Sequence, residues 1–367
     1  MIYRRFAGWI RPAALFIFIL LAGSSVLNAV ETKDGFIRLI IDDNSCSFSL
    51  FYLTDTFSEE ADAKYEPLFS HKDPRTSFLA VNVNGRTYRL GETSVFRSRI
   101  ERQGSNPAIV FESPFLIVND VFSPVRTASS RVANGIKRTI TIKNTGDKPA
   151  SIGLRILIDT HLGERRGDIP FITNSLSITK ETIIEGTSGE TYWISRGERL
   201  SLMGSVVNPP GVTGRNPDFL HFANWKKLSD VPWKAPYYEG RTFNHTQYSI
   251  GDSAVCYYWE PVTFAQGESA VFSIFLTTAD MNGFTGAKTQ AEQQESKKEA
   301  IDEAFGEFEE AFMEYNTDYQ ENEDIIALQR LQGTLDDFIS GEIKLTEQEL
   351  TDIEQSIIRL RTKYDLR

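Results

Sequence analysis

The chain has few cysteines, few histidines and one apolar run, and each shortage excludes something. Two cysteines in 367 residues cannot build a disulfide scaffold or a cysteine zinc cluster. None of the four histidines, His71, His161, His221 and His245, forms a helix-spaced pair or a His-Glu-x-x-His zinc motif. There is no P-loop, dinucleotide fingerprint or G-x-S-x-G elbow. Basic residues are in deficit, 39 against 50 acidic ones, a formal net charge of −11. An acidic chain without a basic stripe is a poor nucleic-acid binder.

The apolar run lies at the N-terminus. Arg4, Arg5 and Arg11 precede Ala13–Ala22, and small residues lead on to Ala29. The run is shorter than the ~20 residues that span a bilayer. The order of basic, apolar and small residues predicts a signal peptide over 1–29 and export to the periplasm or cell exterior. No integral membrane span is expected after its removal. An oxidising destination permits a Cys46–Cys256 disulfide; the alternative is two small buried hydrophobes.

Residues 30–286 read as one mainly β domain, a large antiparallel sandwich. Short runs rich in β-branched and aromatic residues include Phe36–Ile41, Cys46–Leu53, Phe78–Val83, Thr139–Ile142 and Val271–Phe275. Turn signals punctuate them with no helical pattern between. Asn84-Gly85 and Asn134-Gly135 each suit a two-residue type I′ hairpin turn, which needs positive φ twice. A third turn, Asn144–Pro149, separates two more runs.

Residues 287–367 read as an acidic helical tail, a hairpin or three-helix module. They carry 21 acidic and 9 basic side chains. Ile301, Ala304, Phe305, Phe308, Ala311 and Phe312 mark one apolar stripe. Thr346-Glu347-Gln348-Glu349 is a capping box that opens a last helix. The tail either packs on its own sandwich or acts as a coiled-coil-like module for a partner or a second copy.

Three segments carry candidate chemistry. Asp159, His161, Glu164 and Asp168 crowd a loop at a strand end, where sandwiches place function. Asp159, Glu164 and Asp168 have the oxygens calcium prefers but not EF-hand spacing; no other cofactor is expected. Phe219–Tyr248 is dense in aromatics, and Trp225 and Trp233 can stack on sugar rings if exposed. Otherwise these rings form the loop's own small core. Glu260 ends an apolar strand, and in a cleft it suits general-base work.

Two stretches, one of them the Glu260 strand, share a resemblance. Asn144-Thr145-Gly146-Asp147-Lys148-Pro149 with Ser151–Leu154, and Trp259-Glu260-Pro261-Val262-Thr263 with Gly267-Glu268-Ser269 and Val271–Phe275, resemble the galactose mutarotase-like (aldose 1-epimerase) superfamily. They cover roughly a tenth of the chain. The resemblance implies a supersandwich with a carbohydrate cleft and Glu260 as general base. Where the family places its catalytic histidine, this chain has Arg155-Ile156-Leu157-Ile158. Losing a general acid forfeits about 10²–10⁴ in rate. The expectation is an exported, non-catalytic sandwich that binds a carbohydrate or other envelope component, with Asp159, His161, Asp168, Trp225, Trp233 and Glu260 at the ligand. The alternatives are a sugar-acting enzyme with Glu260 as base and His161 or Asp159 as acid, and a structural envelope or appendage-associated protein working through its tail.

Overall fold

The structure is a computed structural model. It describes residues 29–55, 65–69, 74–164, 170–247, 249–280, 282–289 and 346–363, with single positions at 292, 330, 331, 333 and 334. The signal-peptide segment, Asp168 and the Ile301–Phe312 stripe lie outside the described residues.

The described chain is mainly β and antiparallel. β1 (Val30–Asp34), β2 (Ile37–Ile41), β3 (Phe48–Leu53) and β4 (Tyr65–Pro67) pair in chain order. Next come β5 (Phe78–Val83), β6 (Arg86–Arg89), β7 (Arg97–Gln103), β8 (Asn106–Glu112), β9 (Leu116–Arg126), β10 (Gly135–Asn144) and β11 (Ala150–Thr160). Then follow β12 (Phe171–Thr173), β13 (Ser177–Ile178), β14 (Thr182–Glu185), β15 (Tyr192–Arg196), β16 (Ser201–Ser205) and β17 (Phe219–Asn224). Helix α1 (Trp225–Ser229), β18 (Ser253–Phe264), β19 (Ser269–Thr278), β20 (Lys288–Thr289) and helix α2 (Glu347–Lys363) complete the order. One large sheet runs β13-β12-β15-β16-β19-β10-β9-β8-β7, with β20 beside β9. A six-stranded sheet runs β14-β17-β18-β11-β5-β6.

The main core lies between these two sheets. Ile136, Ile140, Ile142, Val118 and Phe122 of the large sheet share it with Ile152, Leu154, Ile156, Val255, Tyr257 and Trp259 of the smaller one. Alternation along each strand puts these residues on one face. Two polar pairs are enclosed here. Trp193 Nε1 donates to the Tyr257 hydroxyl at 2.7 Å. Arg138 Nε and Nη2 clamp the Asp120 carboxylate at 2.5–3.0 Å, and both side chains are buried.

The two Asn-Gly pairs differ. Asn84 and Gly85 have φ of 52° and 83° and join β5 to β6 as a tight hairpin. Asn134-Gly135 is not a turn. The chain loops from Thr127 to Asn134, and Gly135 opens β10. Asn134 is buried, accepting from Thr127 N at 3.0 Å and donating to Thr127 Oγ1 at 2.9 Å. Gly135 is required there for space: a β-carbon would collide with the backbone of Leu276 and Thr277 on β19. Asn144–Pro149 carries the chain from one sheet to the other. It is fastened by Asn144 Nδ2, which donates to the carbonyls of Lys148, Phe264 and Ala265 at 2.9–3.1 Å.

Of the tail, the main described element is α2. Thr346 Oγ1 accepts from Glu349 N at 3.3 Å, and the Glu349 carboxylate accepts from Thr346 N at 2.7 Å. This reciprocal pairing satisfies two donors of the first turn. Cys46 and Cys256 are free and buried. The disulfide is absent because Cys46 sits in the turn before β3 while Cys256 faces away from the main core on β18.

Candidate functional site

The outer face of the six-stranded sheet is where polar chemistry collects. β11 and β18 are buried on both faces over Ile152–Thr160 and Ser253–Trp259. An antiparallel sheet buried twice needs a cover on the side away from the main core. The cover is Trp225–Pro236. Leu228, Val231, Trp233 and Ala235 pack on Leu157, Cys256, Tyr258 and Phe219. Asn224 starts α1 by accepting from Lys227 N at 3.2 Å, and its Nδ2 holds the Phe243 carbonyl at 2.7 Å. Trp225 Nε1 donates to the Thr76 carbonyl at 2.9 Å. Trp233 stands edge-on to Tyr258. Both tryptophans are half-buried and pin the segment down. Among the described rings of this stretch, Tyr237 and Tyr238 are exposed.

Arg155, on β11, is the strongest clamp. It is fully buried. Its Nη1 donates to the Val231 and Pro232 carbonyls at 2.8 and 3.4 Å, its Nη2 to the Leu228 carbonyl, and its Nε to Cys256 Sγ at 3.1 Å. Leu228 lies at the C-terminal end of α1, where the helix dipole favours a cation. The guanidinium also lies 5.5 Å from the Phe78 ring centre and 5.6 Å from that of Tyr258. Beside it the cover leaves a depression of about 190 Å³, lined by Phe78, Ala80, Thr87, Arg89, Arg155 and Ser229–Pro232. The Arg89 guanidinium stacks 3.7 Å over Phe78.

A second buried group holds the far side of the cover. Glu181 Oε1 accepts from Lys227 Nζ at 2.5 Å and from Tyr238 N at 3.2 Å, and lies 2.9 Å from His221 Nε2. Glu181, His221 and Lys227 are all buried. With Nε2 donating to the carboxylate, Nδ1 of His221 is the acceptor nitrogen, and it has no partner among the described residues. Burial, the largest influence, holds the His221 imidazole below its ordinary value, against the pull of Glu181.

The strand-end loop is organised by Glu164. Its carboxylate accepts from Ser253 N at 2.6 Å and Ser253 Oγ at 3.0 Å. Burial pushes it up to about 7, with Asp252 and Asp159 adding repulsion. A carboxyl raised on folding stabilises below about pH 4.5, and that contribution is lost as pH rises through about 7. Glu164→Gln is therefore expected to raise stability at pH 8 by about 1–2 kcal/mol, allowing for solvent screening, and to change little at pH 5. Urea unfolding at the two pH values reads this directly.

The residues expected at one ligand are spread along a ladder. Thr160 faces Ser253 at one end of β11–β18, and His161 follows Thr160. Glu260 lies seven residues beyond Ser253, about 23 Å away at ~3.3 Å per residue. Glu260 is half-exposed and paired with Lys234 at 2.8 Å, on the surface rather than in a desolvated cleft. Asp159 is buried beside Ser77, whose Oγ accepts from Asp159 N at 2.9 Å. Among the described residues no three His, Cys, Asp or Glu side chains converge on a cation site. Sequence reading missed Glu181, His221, Lys227, Phe78 and Arg89. The available signals were a histidine inside the apolar strand Phe219–Asn224 and an arginine inside Leu154–Ile158.

No protein-family model matches the chain, and no curated protein matches it. Among solved structures it is similar to a galactose mutarotase-like protein from Lactobacillus casei ATCC 334, at 9% identity and a TM-score of 0.40, covering 68% of this chain and 100% of that one. It is similar to a galactose mutarotase related enzyme from Lactobacillus acidophilus, at 9% identity and a TM-score of 0.40, covering 70% and 98%. It is also similar to an aldose epimerase homologue from C. elegans, at 9% identity and a TM-score of 0.40, covering 68% and 98%. By name these three neighbours are galactose mutarotase-like or aldose epimerase proteins.

Proposed function

We propose that this chain is an exported, non-catalytic sandwich protein that binds a carbohydrate or other envelope component on the outer face of its six-stranded sheet. The helical tail serves a partner or a second copy.

The observation that carries the reading is the depression beside Arg155. It offers apolar surface from Phe78, Ala80, Val231 and Pro232, and hydrogen-bonding groups from Thr87, Ser229, Asp230 and Arg89. That mixture suits a ring with an apolar edge and several hydroxyls. Its size suits one sugar unit, being well below the about 300–1,000 Å³ of drug-sized sites.

Two observations favour binding over turnover. Acid–base work on a sugar needs a proton donor and a base flanking one bond. Asp230 is the one carboxylate of the lining, and Lys226 pairs with it at 2.8 Å. Glu260 and His161 are separated along the β11–β18 ladder, Glu260 lying seven residues beyond Ser253, the partner of Thr160.

Saturation-transfer NMR against a panel of mono- and oligosaccharides tests the reading. Contact is expected, and Phe78→Ala should weaken it tenfold or more while leaving the unfolding midpoint within a few degrees. Binding unchanged in Phe78→Ala removes the depression as the site. No contact with any sugar rejects the carbohydrate reading.

A further inference from the structure

We infer that the depression beside Arg155 takes acidic sugars, pyranoses carrying a carboxylate of the uronic acid class. This deepens the carbohydrate reading above and rests on it.

The charges around Arg155 do not balance. Arg155 is fully buried, yet its partners are three carbonyls and a thiol, with two aromatic rings near it. No carboxylate among the described residues pairs with it. Burying a cation costs heavily unless an anion compensates, and carbonyl dipoles compensate only in part. A guanidinium has five N–H groups. The four acceptors of Arg155 leave one Nη2–H unfilled.

The lining does not supply the missing anion. Asp230 is exposed and its carboxylate is already paired with Lys226 at 2.8 and 3.2 Å. Arg89 adds a second cation at the same wall, stacked on the Phe78 ring that Arg155 also approaches. Arg89 is partly balanced by Glu92 at 3.0 Å, so the residual positive charge sits on Arg155. Low-dielectric walls strengthen the attraction of such a charge for an incoming anion.

Carboxylate is the group that fits. One of its oxygens can accept the remaining Nη2–H in a charge-assisted bond, stronger than a bond to a neutral hydroxyl. A neutral hexose would fill the depression and leave Arg155 uncompensated. Thr87 and Ser229 remain for ring hydroxyls, and Val231 and Pro232 for the apolar edge.

Isothermal titration of the full chain with glucuronate and galacturonate, against glucose and galactose, tests this. The uronates are expected to bind at least tenfold tighter than their neutral counterparts. Arg155→Lys should reduce that preference several-fold with the fold retained by near-ultraviolet circular dichroism. Arg89→Gln, at the rim, should also reduce it, and it carries the test if Arg155→Lys does not fold. Equal binding of acidic and neutral sugars overturns the inference and leaves the carbohydrate reading standing. Binding by neither overturns both.

Discussion

Asp120→Ala is expected to destabilise the sandwich by about 3–5 kcal/mol, because it strands a buried charge. Arg138 projects from β10 into the main core between Phe48 and Phe122, whose ring centres lie 5.0 and 5.4 Å from its guanidinium. Its charge is answered by the Asp120 carboxylate through Nε and Nη2. Burial outweighs Arg138 in setting that carboxyl, which is raised above its ordinary value. The desolvation cost is therefore substantial, and the intact pair adds little net stability over an apolar pair. The asymmetry is the testable point. Removing the anion alone leaves Arg138 unpaired, whereas Asp120→Leu with Arg138→Met removes both charges and should recover most of the loss. Urea midpoints of the wild type, both single variants and the double variant measure it. A loss below about 1 kcal/mol in Asp120→Ala would mean that water reaches Arg138.

The sandwich was legible because its signals are local. Asn84-Gly85 gives its hairpin from two residues, and Phe78–Val83 gives its strand from six. Asn134-Gly135 has the same letters and a different role. A glycine required for positive φ and one required for closeness to a neighbouring strand look alike in sequence, and only the pairing of β10 with β19 separates them. The outer face was legible in part. Leu154–Ile158 does not alternate, which signals a strand covered on both sides. What covers it was not readable, since Arg155 meets carbonyls more than seventy positions away. Glu260 stands out in the sequence because a carboxylate at the end of an apolar strand is uncommon. The cover gives it a plain surface partner, Lys234. Glu181 lies just before β14, His221 in β17 and Lys227 in α1, and they share no spacing that a sequence displays.

Those three residues give the second large expected effect. Glu181→Ala should cost about 3–5 kcal/mol, since one carboxylate oxygen serves a buried ammonium, a buried imidazole and the Tyr238 amide. The loss should begin locally. Glu181 N also donates to the Arg241 carbonyl at 2.7 Å, so the residue joins α1, β17 and the 237–241 loop. Cleavage by a protease within 230–250 should therefore accelerate at denaturant levels that leave the main core folded. Cleavage no faster than in the wild type would show that Arg155 alone holds the cover. Acid should weaken the same contact. Burial keeps His221 below its ordinary value in the folded state, so the unfolded chain binds the extra proton first. Its contribution to stability is present above about pH 6.5 and is lost as pH falls from there through the depressed folded value. A proton on His221 would also add a second cation beside Lys227, and Arg155 opposes that proton too. Replacing His221 with asparagine removes the titrating group. It should flatten the acid side of the stability profile between about pH 6.5 and 5, whereas a slope unchanged there would assign the acid sensitivity to carboxylates instead.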